Sequence, residues 1–109
     1  MEQEEQPEDV FFEFLLANLR GVEEEMRPLI LDHPDADLLW QGAYPPDVAA
    51  LLAQSYEGLE IARVKEAPDR VLLISSAIPF PIEVVRVAGE WRVNAAPIIK
   101  FRTRAGSDG

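Results

Sequence analysis

The segment from Val10 to Leu19 is apolar on nearly every side, and this constrains the fold more than any other feature of the sequence. Within it, only Glu13 and Asn18 are polar. A surface helix of a globular protein carries one apolar stripe, and one stripe cannot hold this many apolar side chains. The sequence therefore predicts a helix over residues 8–20 that is either wrapped by the rest of the chain or shared with a partner chain.

Proline and glycine residues divide the next part of the chain into further helices. Gly21 is placed to end the first helix. A second helix is predicted over residues 22–31, or two short pieces in its place, because Pro28 interrupts the helical pattern. A short helix near residues 34–40 and a longer one over residues 45–56 follow. The first half of the chain is therefore predicted to be helical.

After residue 58 the pattern changes to that of strands joined by turns. The predicted strands cover residues 59–66, 71–76, 82–87, 90–94 and 98–102. Pro79 and Pro81 interrupt strand pairing, so the stretch that contains them is predicted to be a bulge, a crossing or an edge. Helices followed by a meander of four or five strands predict an α+β fold, with the N-terminal helices packed on an antiparallel sheet.

The clearest hairpin of this meander has its turn at residues 87–89. We expect a three-residue loop there. Such a loop would put Val85 and Trp91 on one face of the sheet, with Arg86 opposite Glu90.

The formal net charge of the chain lies entirely in its first third. The sequence has 20 acidic and 10 basic residues, for a net charge of −10. Residues 1–40 hold twelve acidic and two basic residues, whereas residues 41–109 hold eight of each. Nucleic acids and anionic membranes bind basic surfaces, so neither is expected as a partner. The acidic part is instead compatible with an interaction or inhibitor protein that occupies a basic surface.

Composition also bounds the chemistry and the compartment. The sequence has no cysteine, which excludes disulfides, thiolate catalysis and zinc–sulfur sites. Its first nine residues are acidic, unlike a secretory signal, and no apolar stretch is long enough to span a bilayer. We therefore expect a cytoplasmic protein. Residues 1–7 are predicted to be a disordered acidic lead-in, 8–104 a single α+β domain and 105–109 a flexible tail.

Three stretches of the chain share the pattern of one family. Residues 7–15 form an opening helix, residues 26–31 a second helix after a glycine, and residues 84–94 a hairpin in which a glycine turn precedes Trp-Arg-Val. In these stretches the chain resembles the nuclear transport factor two–like superfamily, the cone-shaped α+β fold that includes ketosteroid isomerases and polyketide cyclases. The resemblance implies a curved sheet that wraps the first helix. In the enzymatic members it also implies an inward carboxylate that acts as a base.

An isomerase- or cyclase-like enzyme is therefore one alternative. Glu83 or Asp32 would be the base, with His33 or Tyr44 assisting. To point inward, Glu83 would have to lie on the face of the sheet that carries Trp91. No tyrosine lies on a predicted strand, so an oxyanion donor of the kind that the resemblance implies is missing. This absence favours a protein that is not an enzyme.

The one histidine, His33, lies among Asp32, Asp35 and Asp37. Such a cluster could ligate a divalent metal or hold an acid–base pair. The alternative, which we favour, is a helix-capping loop, because the spacing matches no calcium loop. We expect no metal and no cofactor.

The remaining candidates are aromatic and basic residues. Trp40, Tyr44 and Tyr56 line either a pocket or the core, with Tyr44 the most exposed. Arg86 belongs to a scattered set of sheet arginines that either bind an anion or acidic partner or form cross-strand pairs. The residues predicted to bind are Trp40, Tyr44, Tyr56, His33, Glu83 and Arg86. The predicted function is a non-catalytic module that binds a small apolar ligand or a protein partner and forms a homodimer through its sheet.

Overall fold

The structure is a computed structural model that describes residues 6–40 and 44–107. Its helices are α1 (Pro7–Arg20), α2 (Glu23–Met26), α3 (Pro46–Ser55) and α4 (Ala96–Ser107), with 3₁₀ turns at Arg27–Leu29 and Ala36–Leu39. Its strands are β1 (Ile61–Ala67), β2 (Arg70–Ser75), β3 (Ile78–Val87) and β4 (Glu90–Val93). The predicted α+β fold is confirmed, with four strands in the described part of the chain.

The four strands form one curved, unclosed antiparallel sheet in the order β1-β2-β3-β4. Buried and more exposed residues alternate along β2 and along the second half of β3. Successive side chains of a strand point to opposite faces, so one face is covered by the helices and the other is open to solvent. We call these the inner face and the outer face. Val71, Leu73, Ile82, Val84 and Val93 carry the inner face into the core.

Helix α1 is wrapped by its own chain, which is the first of the two predicted alternatives. Phe11 and Phe14 are 1% and 0% exposed, and both belong to the core that the inner face of the sheet closes. The helix ends where predicted, because Gly21 adopts a left-handed conformation with φ of 65°. Glycine has no Cβ, so it adopts this conformation without the steric cost that other residues meet.

The second helical region forms two short pieces, as the alternative for residues 22–31 predicted. Helix α2 stops at Met26, and a single 3₁₀ turn over Arg27–Leu29 follows. Pro28 has no backbone N–H to donate, so it cannot continue the α-helical hydrogen bonds. The chain then crosses to the sheet, where Leu31 N–H donates to the Val93 carbonyl at 3.0 Å.

The β3–β4 hairpin lies where it was predicted, but its loop has two residues and not three. Val87 pairs directly with Glu90, so Arg86 lies opposite Trp91 rather than opposite Glu90. Ala88 and Gly89 have φ of 52° and 81°, as the tight two-residue turns of hairpins require. The shorter loop shifts the register, and it puts Arg86 and Trp91 on the inner face.

The predicted strand over residues 98–102 is wrong, because this segment belongs to helix α4. Pro97 lies in the first turn of the helix, where a missing N–H costs nothing. The Asn94 side-chain oxygen accepts the Ala96 N–H at 3.2 Å and helps to start the helix. Ile98 and Ile99 are both buried, which neighbouring residues of a two-faced sheet with one open face cannot achieve.

The boundaries of the predicted lead-in and tail fall near the limits of the described residues. Pro7 begins helix α1, and residues 1–5 of the predicted lead-in lie outside the described part. Helix α4 includes residues 105–107 of the predicted tail, and residues 108–109 lie outside.

The prolines near the start of β3 do not break the strand. Pro79 and Pro81 lie in β3 next to a shift in its register with β2. Strand β4 pairs only with residues 84–87 of β3, so both prolines lie on a stretch that borders one strand. This matches the expected bulge or edge, since a proline cannot donate to a strand on both sides.

Candidate functional site

The core fills the inner face of the sheet. Phe11, Phe14 and Met26 are at most 1% exposed and pack with Leu73 and Ile82. Among the described residues, no polar or charged residue is buried. A carboxylate that acts as a base is often held in a desolvated pocket, which raises its pKa. The described part of the inner face offers no buried carboxylate of this kind.

The outer face, in contrast, presents aliphatic side chains to solvent. Ile74 and Val87 are 40% and 45% exposed, and Leu72 and Val85 are half-buried. Leu72 faces Glu83 across the β2–β3 pair, and Val85 faces Arg70 on one side and Arg92 on the other. The outer face of β2, β3 and β4 therefore mixes exposed aliphatic side chains with charged ones, because a charged residue lies across from Leu72, Val85 and Val87.

Charged side chains on the outer face are nearly balanced. Glu83 pairs with Arg70 at 3.2 Å, and Glu90 pairs with Arg92 at 3.0 Å. Lys65 adds one positive charge, because it lies opposite Leu72 on this face. The ion pairs are partly exposed, so each contributes little to stability. Their main effect is that the outer face has almost no net charge, whereas the helical segment 6–40 holds nine acidic and two basic residues.

Glu83 does not point inward, so this part of the enzyme hypothesis is wrong. It lies on the outer face, and its Oε1 accepts a hydrogen bond from Asn94 Nδ2 at 3.2 Å. Trp91 lies on the inner face, because it opposes Arg86 in the observed register. Its neighbours in the strand, Ile82 and Val84, are fully buried.

Arg86 lies on the inner face near its rim. Its guanidinium group stacks over the Trp91 ring, with 4.6 Å between Cζ and the ring centroid. Both residues line an open cleft of about 460 Å³ between the start of α1 and the β1–β2 turn. Arg63 and Pro7 form other parts of its wall. Arginine stacked on tryptophan is a stabilising cation–π contact.

An ion pair across this cleft joins the start of α1 to the edge strand β1. Arg63 donates from Nε and Nη2 to the two carboxylate oxygens of Glu8, at 2.7 and 2.8 Å, and also pairs with Glu66. The hydrogen bond from Arg63 holds the pKa of Glu8 below its ordinary value, against the partial burial that raises it. The same bond raises the pKa of Arg63. This two-pronged contact holds the edge strand β1 against the start of α1.

The three aromatic candidates lie at different depths, and Tyr44 is the most exposed of them, as expected. Trp40 is half-buried against the core, with the Arg27 guanidinium 5.0 Å from its ring centroid. Tyr56 is also half-buried, and burial raises its pKa, with a further contribution from Tyr44. Tyr44 itself is 50% exposed.

Tyr44 lines an open groove of about 360 Å³ between α1 and α3. This groove was not predicted from the sequence. Helix α3 has one buried residue, Ala49, and most of its remaining surface is exposed. The groove is lined mainly by Leu16, Leu19, Tyr44, Ala49, Ala50 and Ala53. The signal that could have predicted it is the run of small residues in α3, because alanine side chains are too short to fill the space between two helices.

The loop around His33 is held by a local hydrogen bond, but no side chain caps the 3₁₀ turn that follows it, so the predicted capping is not observed. His33 Nδ1 accepts the backbone N–H of Asp35 at 3.0 Å, just before the 3₁₀ turn at Ala36–Leu39. In the described part of the chain, no group of three or more histidine, aspartate or glutamate residues is arranged to hold a metal ion.

The exposure of the outer face was also missed from sequence. Residues 71–76 form an almost wholly apolar run, which indicated a central strand. The structure buries Val71 and Leu73 and leaves Leu72 and Ile74 on the open side. Where helices cover only one face of a sheet, an unbroken apolar run in a strand indicates that its alternate residues form an exposed apolar surface on the other face.

No helix in the described residues has the length and apolar character needed to cross a membrane.

Comparisons with known proteins identify no relative of this chain. The scan against protein-family models and the searches of curated proteins and solved structures gave no match.

Proposed function

We propose that this chain is a non-catalytic protein-binding module that forms a homodimer through the outer face of its sheet. The observation that carries the proposal is the one-sided cover of the sheet. The central strand positions that point to the helices are buried, and the opposite positions leave Leu72, Ile74, Val85 and Val87 in contact with water. Burying such side chains releases about 25 cal/mol per Å² of apolar surface.

The distribution of charge favours a second copy of the chain as the partner on this face. Residues 6–40, which include α1, α2 and the two 3₁₀ turns, hold nine acidic and two basic residues. Two copies that met through their helical sides would bring like charges together, which opposes association. Two copies that meet through their outer faces join nearly neutral surfaces and keep the acidic helices apart.

The placement of the candidate groups supports a non-catalytic role. Glu83 lies on the outer face, whereas Tyr44 lies beside α1, on the helical side of the sheet. A base and its assisting hydroxyl must both reach one substrate, within hydrogen-bonding distance of the reacting atoms. Groups on opposite sides of a sheet do not meet this requirement.

Three finer assignments accompany this proposal. We propose a cytoplasmic location, because the sequence contains no cysteine. The nuclear transport factor two–like family remains a prediction from the three resembling stretches. An acidic inhibitor that covers a basic partner is the alternative function, and it would use the helical side rather than the outer face.

The test is the oligomeric state of the full chain, measured by sedimentation velocity over a range of concentrations. We expect a dimer that the substitution Ile74→Asp converts to a monomer. Aspartate on this face would put two unpaired carboxylates into the interface, whose desolvation is costly. Because Ile74 is already 40% exposed, the variant keeps its fold, which circular dichroism checks.

The matched control is Leu51→Asp. Leu51 is 66% exposed on α3, so this variant places the same charge on the other exposed apolar surface. It should remain a dimer. A wild-type chain that stays monomeric at high concentration would refute the proposal, and so would dissociation by Leu51→Asp with Ile74→Asp still dimeric.

A further inference from the structure

The groove between α1 and α3 is a second apolar surface, separate from the outer face of the sheet. Leu16 and Leu19 of α1 form one wall, and Ala49, Ala50 and Ala53 of α3 form the other. Its volume of about 360 Å³ lies within the range of small-molecule sites, about 300–1,000 Å³. The two helices therefore leave room for a compact ligand where larger side chains on α3 would have closed the space.

Charge along the groove is low for a chain of this composition. Among the described residues that line it, Arg20 is the one that carries a charge. Its Nε and Nη2 atoms are both engaged with Glu25 Oε1, at 2.8 and 2.7 Å. The sole acidic residue of α3 is Asp47, which lies in the first turn of the helix and not in the groove wall.

We propose that this groove binds an uncharged, apolar small molecule. An anionic ligand would be repelled by the net charge of −10, and the arginine that could pair with it is already held by Glu25. A cationic ligand would lose water without gaining a carboxylate among the lining residues. A neutral ligand meets neither cost and gains contact with the leucine and alanine walls. The phenol of Tyr44 at the rim supplies one polar group to orient it.

Two fluorescent probes that differ by one charge test this inference on the full chain. N-phenyl-1-naphthylamine is uncharged, and 8-anilino-1-naphthalenesulfonate has the same ring system with a sulfonate added. We expect the neutral probe to bind with a stoichiometry of one per chain. The anionic probe should bind about tenfold or more weakly, because the chain repels it. If binding of the neutral probe does not saturate, or if the two probes bind with equal affinity, the inference is wrong.

Substitutions that fill the groove locate the binding. Ala50 is exposed and lines the groove, so Ala50→Phe should abolish binding of the neutral probe without unfolding the chain. Ala53→Leu, a smaller filling of the same wall, should weaken it. Gln54→Phe adds the same ring to α3 outside the groove and should bind as the wild type does.

The outcome is distinguishable from that of the homodimer. If Ala50→Phe and Gln54→Phe bind the neutral probe equally well, the groove is not its site. Loss of probe binding in Ile74→Asp but not in Ala50→Phe would instead place the probe on the outer face, and it would also overturn the inference.

Discussion

The two faces of the sheet are built from the same strands and nearly the same residue types, yet they differ completely in burial. Leu73 and Ile82 on the inner face are 0% exposed, whereas Ile74 and Val87 on the outer face are 40% and 45% exposed. The difference arises because the helices pack on one face only. Aliphatic composition therefore identifies these segments as strands, and the position of the helices decides which half of each strand becomes core.

The largest expected effect compares one isoleucine on each face. Ile82→Ala should lower the free energy of unfolding by about 2–5 kcal/mol, because it leaves a cavity in the packed core. At a concentration low enough to keep the chain monomeric, Ile74→Ala should lower it by about 1 kcal/mol or less, because the side chain is then partly in water. Urea unfolding of both variants, followed by circular dichroism, measures the two values. Equal losses at the two positions would contradict the assignment of the faces.

A smaller effect is expected from the ion pair between Glu8 and Arg63. Glu8→Gln should cost about 1 kcal/mol at neutral pH, because a two-pronged arginine–carboxylate contact is lost. The pKa of Glu8 is lower in the folded chain, so its contribution is complete above the unfolded-state pKa and is lost as pH falls through the folded-state pKa. The difference in the free energy of unfolding between wild type and Glu8→Gln should therefore become smaller below about pH 4.

The matched control for this pair lies on the outer face. Glu83 pairs with Arg70, whose side chain is 68% exposed, so Glu83→Gln should cost only a few tenths of a kcal/mol. Urea unfolding at a series of pH values compares the two variants. If the free energy of unfolding of Glu8→Gln differs from that of wild type by a constant amount down to pH 3, the ion pair does not stabilise the fold.

The smallest expected effect concerns the turn that sets the register of the two faces. Ala88 has φ of 52°, where an alanine is strained and an asparagine is tolerated. Ala88→Asn should therefore raise the free energy of unfolding by about 0.5–1 kcal/mol. Gly89→Ala should lower it by about 1 kcal/mol, from backbone strain alone, since a Cβ there would meet no neighbouring atom. Thermal unfolding measures both, and a destabilised Ala88→Asn would refute the two-residue turn.

Helix α1 was predictable because its composition leaves few alternatives. A segment in which only Glu13 and Asn18 interrupt ten residues must be buried on most sides, whatever surrounds it. Gly21 and Pro28 likewise predicted the end of one helix and the break of the next, because their effects on the backbone are local.

The later segments were less predictable because their structure depends on distant contacts. Residues 98–102 have an apolar pattern that suits a strand or one turn of a helix. Packing decided between them: Ile98 and Ile99 both reach the core only in a helix. The hairpin turn was located correctly, but one residue of loop length brought Arg86 and Trp91, which were predicted on opposite faces, onto the same face.

The candidate site followed the same division. Exposure of Tyr44 and a turn at His33 were expected from residue type and neighbouring prolines and aspartates, whereas the expected capping of the next turn is absent. The outer face and the α1–α3 groove were not expected, because each exists only where no other part of the chain packs against it.

By itself, the sequence determined the α+β class, the buried helix, the local breaks and the unequal distribution of charge. These depend on composition and on short-range backbone chemistry, which act in any arrangement of the chain. Only the tertiary structure decided which face of the sheet the helices cover, whether the last apolar run is a helix, and where Glu83 and Arg86 point. Such features depend on packing between segments far apart in sequence, and a one-residue change of register reverses them.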